Sequence, residues 1–261
     1  MALKPYWQDE KHDLTIYHGD CLEVLPKLER EFDLCLTDPP YGEMKAEWDE
    51  AKPPDTVWDV AGASLIDGGA LYYWGFWRHA GWVLQNADRV GLNALSRIIW
   101  WYATGRPEAV NYRQDTETAW YFGKGQPRTF NAEAALEPYD DEANYERYGR
   151  AGKHPGTVWR SSRIFHNHPE NVGHPTQKPL DIIERMVTIS SNRGDTVIDP
   201  FLGSGTTLAA CYRLGRSGVG IEISEEYCQL SVERLEKEIQ QGRLFEPEDV
   251  VQKPSQMQID V

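Results

Sequence analysis

Cysteine, long apolar runs and net positive charge are all scarce in these 261 residues. The four cysteines, Cys21, Cys35, Cys211 and Cys228, are scattered, and no two form a C-x-x-C pair. That spacing favours reduced thiols in apolar surroundings over a disulfide framework. No stretch approaches the roughly 18 uninterrupted apolar residues of a membrane span, so no membrane partner is expected. Residues 1–9 carry no basic-then-apolar leader, and the expected location is the cytoplasm. His166-Asn167-His168 lacks the surrounding hairpin-and-helix pattern of a nuclease metal centre, and no metal site is expected.

The net charge of -14 argues against a nucleic-acid partner, which usually meets a basic surface. The charge is uneven, however. Between Arg147 and Lys178 there are six Lys/Arg (Arg147, Arg150, Lys153, Arg160, Arg163, Lys178) against one acid, Glu170, whereas from Glu222 onward ten acids face four bases. Screening confines charge effects to about 10 Å at ordinary salt, so a basic segment on an acidic body can still meet phosphates. The alternative is a solvated loop that happens to be basic.

What the chain does have is alternation. Short apolar runs at 14–18, 32–37, 70–74, 96–101, 118–122, 196–198 and 218–221 read as strands. They are separated by helix-like stretches at 22–30, 79–90, 180–189 and 206–214. This is the pattern of an α/β domain with a mostly parallel sheet. A last helix starts after Ser224 as its cap, with Glu225 and Glu226 at the positive end, and stops at Gly242. From 126 to 173 the alternation breaks down into a stretch rich in Pro, Asn, Tyr, Arg and His. It is too long for a simple loop, so an insertion with its own structure or a binding loop is expected. The residues after Phe245 are polar and expected to be disordered.

Two motifs carry chemistry. The run Thr196-Val-Ile-Asp-Pro-Phe-Leu-Gly-Ser-Gly-Thr-Thr passes from a strand through Gly203 and Gly205 into a helix. Glycines there let the backbone approach a ligand closely. A dinucleotide loop would want glycine where Leu208 stands, and the Gly-Lys-Ser/Thr of a P-loop is absent. Glu222 ends the next strand, where an acid can grip two ribose hydroxyls. Asp199, in the loop, is suited to a cationic amine. A nucleoside with a positive, amino-acid-like tail, such as S-adenosyl-L-methionine, fits; a plain tight turn is the alternative. The second motif is Thr37-Asp38-Pro39-Pro40-Tyr41, after an apolar strand. Two prolines fix the backbone and remove two N–H donors, leaving the Pro39 carbonyl and the Asp38 carboxylate as acceptors. Acceptors suit a donor-rich –NH2 group, and Tyr41 offers a flat face for stacking, as flipped bases require. A rigid turn with a capping Asp is the alternative.

Asp38-Pro39-Pro40-Tyr41 together with Asp199-Pro200-Phe201-Leu202-Gly203-Ser204-Gly205 resembles the amino-group DNA methyltransferases, adenine-N6 and cytosine-N4. The proline motif comes first and the glycine motif near the C-terminus, which resembles the permuted beta class. His174-Pro175-Thr176-Gln177-Lys178-Pro179 looks like the segment that precedes the glycine motif in that class, and Gly19-Asp20 like the acid that touches the cofactor's adenine amine.

The resemblance implies a doubly wound, Rossmann-like methyltransferase sheet with the two motifs ending neighbouring central strands. The catalytic domain would comprise 1–125 and 174–245, with 126–173 as an inserted target-recognition region and 246–261 as a polar tail. Asp38, Pro39, Pro40 and Tyr41 would hold the amine. Asp20, Thr176, Lys178, Asp199, Phe201, Gly203, Gly205, Thr206 and Glu222 would hold S-adenosyl-L-methionine. Arg147, Arg150, Lys153, Arg160 and Arg163 would bind double-stranded DNA. Transfer would be a direct in-line displacement without a cysteine nucleophile. Asp at position 38 favours adenine-N6, because Ser there more often marks cytosine-N4. A catalytically silent DNA-binding relative is the remaining alternative. The host would be bacterial or phage-infected, and a homodimer is left open.

Overall fold

The computed structural model describes residues 3–42, 52–102, 104–105, 110 and 112–242. The polar tail at 246–261 lies outside them. Nine strands form one sheet: β1 (Trp7–Asp9), β2 (Leu14–His18), β3 (Phe32–Thr37), β4 (Leu65–Gly75), β5 (Leu92–Trp101), β6 (Thr116–Lys124), β7 (Val158–Arg160), β8 (Thr196–Asp199) and β9 (Ser217–Glu222), in the order β1-β2-β9-β8-β3-β4-β6-β5-β7. Neighbours are parallel except where β1 meets β2 and where β6 runs against β4 and β5.

Both faces of the sheet are covered, which explains why its inner strands are nearly continuous apolar runs. Along β3, Phe32 and Cys35 point into one core, and Leu34 and Leu36 into the other. In β4, Leu71 and Tyr73 likewise alternate with Ala70, Tyr72 and Trp74. The Cys35 side is closed by α1 (Cys21–Val24), α2 (Thr56–Ser64) and α3 (Ala80–Arg89), whose Val57, Trp58, Val83 and Ala87 are buried there. The Leu36 side is closed by α5 (Leu180–Ser190), α6 (Thr206–Leu214) and α7 (Glu225–Gln241). Each fully buried Leu, Ile or Phe among them contributes roughly 1.5–3 kcal/mol. All four cysteines are buried free thiols inside these cores.

The topology creates one crevice. From β8 the chain runs through α6 to β9 on one side. From β3 it runs through α2 to β4 on the other. Between the carboxyl ends of β8 and β3 the connections part, and an open α/β sheet binds its ligand at such a point.

The stretch 126–173, expected as an insertion with its own structure or a binding loop, joins the sheet at one short strand. Its Val158–Arg160 pairs with β5 as the edge strand β7, and Trp159 is buried in the core. Asn131 donates to the carbonyls of Thr188 and Ser191 at the end of α5. A short helix, α4 (Ala143–Tyr148), stands outside with no buried residue and stops at Gly149 in the left-handed region. Among the described residues no helix is long and apolar enough to cross a membrane.

Candidate active site

A cavity of about 640 Å³ occupies the crevice. Ten of the thirteen residues expected to hold amine or cofactor form its wall: Asp20, Asp38, Pro40, Thr176, Lys178, Asp199, Phe201, Gly203, Thr206 and Glu222. Pro39, Tyr41 and Gly205 are not part of this wall. His174, Trp74, Thr37 and Thr207, none of them among the expected site residues, complete part of it.

The glycine loop is shaped by residues that reach it from three directions. Gly203 and Gly205 have φ of +52° and +73°, left-handed values that disfavour any side chain. A Cβ on Gly205 would come 3.0 Å from Ser231 on α7, and one on Gly203 would come 3.1 Å from the His174 ring. Glu222 accepts the Gly203 N–H and the Ser224 N–H, both at 2.8 Å. From α7, Arg234 donates to the Ser204 carbonyl at 3.1 Å and to the Thr206 hydroxyl at 2.7 Å. Arg234 is buried, which lowers its pKa to about 10, and it is a loop anchor invisible in the motif itself.

Asp199 is the last residue of β8, not a loop residue as its motif position suggests. Its carboxylate accepts the Phe201 N–H at 3.0 Å and the Thr207 hydroxyl at 2.6 Å. Burial pushes it up to about 7 against those two donors. Burial also raises Glu222 and holds the His174 imidazole down at about 4, so that ring is neutral near pH 7. Asp20 caps α1 by accepting the Leu22 N–H at 2.8 Å, and it sits beside Glu222 because Gly19 donates to the Glu222 carbonyl.

On the β3 side, the Asp38 carboxylate is held at both ends. Tyr41 donates its hydroxyl to Oδ1 at 2.5 Å, and Lys178 donates Nζ to Oδ2 at 2.5 Å. The Tyr41 ring, expected to present a stacking face, is partly buried beside the core, with its hydroxyl aimed at Asp38. Burial, reinforced by Asp38, raises the Tyr41 phenol far above its ordinary value, so it stays a donor. Lys178, expected beside the cofactor, pairs with Asp38 and with Glu117, whose carboxylate is 3.3 Å away. Burial alone would push Lys178 down, but the two carboxylates outweigh it and hold the ammonium above the usual lysine range.

The five expected DNA-binding cations lie outside this cavity. Arg147 and Arg150 are exposed on and just after α4. Lys153 is paired with Asp140 at 2.8 Å. Arg160 stacks over Trp101 and edges a second, shallower hollow. Arg163 leans over Tyr102 and comes within 3.9 Å of Glu117.

The wall chemistry suits a cationic nucleoside. Asp20, Asp38, Asp199, Glu222 and Glu226 outnumber Lys52 and Lys178, and His174 is neutral. Such a wall would repel a dinucleotide's pyrophosphate and attract an ammonium or sulfonium. Gly203 lines the cavity with bare backbone, so a ligand can come close to the main chain there. S-adenosyl-L-methionine therefore fits.

The comparisons agree with this geometry. A family model described as DNA methylase matches residues 32–233. DNA adenine methyltransferase YhdJ of Escherichia coli K12 is 32% identical, with 85% of this chain and 82% of that one covered. Type II methyltransferase M.ScaI of Streptomyces caespitosus is 29% identical over 91% of this chain and 85% of its own. The crystal structure of the M1.HpyAVI–SAM complex superposes with a TM-score of 0.63 at 26% identity, covering 85% of this chain and 99% of that one. The chain belongs to the N6/N4 DNA methylase family, S-adenosyl-L-methionine-dependent enzymes that methylate an exocyclic amine of a DNA base.

Proposed function

We propose that this chain methylates adenine at N6 in a short double-stranded DNA site, using base flipping and direct transfer. The observation that carries the reading is the placement of Asp38. It stands at the end of β3, in the wall of the same cavity as the glycine loop at the end of the adjacent strand β8. Aspartate at this position and the 32% identity to an enzyme named as an adenine methyltransferase both favour adenine over cytosine.

S-adenosyl-L-methionine supplies an electrophilic methyl group on a sulfonium. Everything else falls to the chain. Glu222 and Asp20 would receive hydroxyl and amine donors of the nucleoside, while Asp199 would face the charged tail. Asp38 keeps lone pairs for the base amine beyond those taken by Tyr41 and Lys178, and its negative charge complements the positive charge that grows on the amine nitrogen. With Asp38 clamped on both sides, the gain comes from positioning. Thr176 and Thr206 brace the cofactor end of the cavity. No cysteine reaches the wall except Cys21, which burial and the nearby Asp20 push up to about 12, so a thiolate nucleophile has no place here.

The order of motifs supports the permuted beta arrangement. The basic stretch 126–173 is proposed as the target-reading region on the catalytic body formed by 1–125 and 174–245. Transfer of labelled methyl to DNA, followed by digestion to nucleosides, tests the reading. N6-methyladenine is expected; label in N4-methylcytosine reverses the base, and label found only in RNA or protein overturns the substrate.

A further inference from the structure

Glu117 belongs to no recognisable motif, yet it sits at the active edge for a topological reason. β6 is the one inner strand that runs against its neighbours, with Gly75 of β4 opposite Thr118. The beginning of β6 therefore lies where β3 and β4 end. Glu117 thus faces Lys178 from across β4, and Lys178 bridges the gap above the Trp74 ring at 5.1 Å.

The consequence is electrostatic. Lys178 has only 8% of its side chain exposed and is shared between two carboxylates, Asp38 at 2.5 Å and Glu117 at 3.3 Å. A buried ammonium paired with Asp38 alone would form a neutral one-to-one pair and make Asp38 a weaker acceptor. Sharing it leaves the trio with one net negative charge. That surplus matters most when the attacking amine nitrogen becomes positive, which happens in the transition state and not on binding. Arg163, 3.9 Å from Glu117, lies at the rim with 42% of its side chain exposed, where the high dielectric of water weakens its pull on Glu117 compared with that of the buried Lys178.

We infer that Glu117 is a positioning residue for methyl transfer. Acting through Lys178, it keeps Asp38 both oriented and charged, and it touches neither base nor cofactor. The inference rests on the reading of Asp38 as the amine acceptor.

The test uses the full chain and a DNA duplex containing its site. Glu117→Gln preserves shape and removes the charge. Its kcat should fall on the order of 10- to 100-fold. KM for DNA, the S-adenosylmethionine Kd and the melting temperature should stay near wild type. In a Lys178→Met background, itself slow, adding Glu117→Gln should cost nothing further, because the charge no longer has a carrier. Asp38→Ala is measured alongside. If Asp38→Ala keeps its activity, the site reading fails. If Asp38→Ala is inactive while Glu117→Gln turns over like wild type, this inference alone is overturned. It is equally overturned if Glu117→Gln loses rate, cofactor affinity and melting temperature together, or if the two changes multiply in the double variant.

Discussion

Glu222 holds the N–H of Gly203 at 2.8 Å with one carboxylate oxygen and the N–H of Ser224 with the other. The acid expected to grip ribose hydroxyls thus also shapes the loop that receives the cofactor. Its two functions must be separated experimentally. Glu222→Ala leaves two loop donors without their acceptor, at about 1–3 kcal/mol each where they are buried, and should lower the melting temperature as well as cofactor affinity. Glu222→Gln keeps the shape and one good acceptor. Calorimetric titration should show it binding S-adenosylmethionine at least ~10-fold more weakly, as loss of a charge-assisted hydrogen bond predicts, with a smaller fall in melting temperature than Glu222→Ala because only one of the two N–H donors loses its acceptor. Wild-type affinity in Glu222→Gln would remove this residue from the cofactor's contacts.

Asp38 should show the opposite split. Asp38→Ala is expected to lose at least ~100-fold in single-turnover rate, the scale of removing one positioned group from a transition state. Its cofactor affinity should remain near wild type, because the glycine loop, Glu222 and Asp20 are untouched. Poor cofactor binding with a normal rate would reverse the assignment.

Asp199 makes cofactor binding depend on pH. Burial raises it to about 7, so below that value the carboxyl is neutral and offers a cation little. Because this acid is raised, its ionisation destabilises the cofactor-free protein as pH climbs from about 4 to 7, and a bound cation offsets that cost. Affinity for S-adenosylmethionine should be roughly tenfold weaker near pH 6 than near pH 7.5, with proton release on binding at the lower pH. Asp199→Asn should flatten this dependence; an unchanged profile in that variant would exclude Asp199 as its source.

The five basic residues of 147–163 should not behave alike. Lys153 is engaged by Asp140, and Arg163 borders Glu117, whereas Arg147, Arg150 and Arg160 are exposed. Alanine at a phosphate-contacting position should weaken binding to all sequences and reduce the salt slope by about 1. Alanine at a base-reading position should cost about 1–3 kcal/mol at one place in the site and relax the methylated motif there. Arg147, Arg150 and Arg160 are expected to show these effects, and Lys153→Ala the smallest. Unchanged affinity, slope and motif in all five variants would move target reading elsewhere.

Much of this was legible in the chain because its physical causes are local. Two-faced burial makes Phe32–Thr37 an unbroken apolar run, and the expected strand matches β3 end to end. The caps of the last helix, Ser224 and Gly242, are equally local. Elements decided by tertiary partners were missed. β7 is three residues, Val158–Arg160, that become a strand only because β5 offers an open edge. The nine residues of α2 carry no clear apolar stripe and include Gly62. Glu117 and Arg234 escaped for the same reason: one reaches the site through a strand's reversed direction, the other across a helix–loop contact, and neither leaves a spacing to read. The double role of Lys178, by contrast, needed only the fold to bring a motif residue against Asp38.

The central claim, N6-methylation of adenine in DNA, is tested most directly by expressing the chain in a bacterial host that lacks its own DNA methylation and mapping modified bases across the host genome. The account predicts N6-methyladenine in one short sequence context, present with the wild-type chain and absent with Asp38→Ala. N4-methylcytosine in that context, or a host genome without new methylated bases despite soluble, cofactor-binding protein, would contradict it.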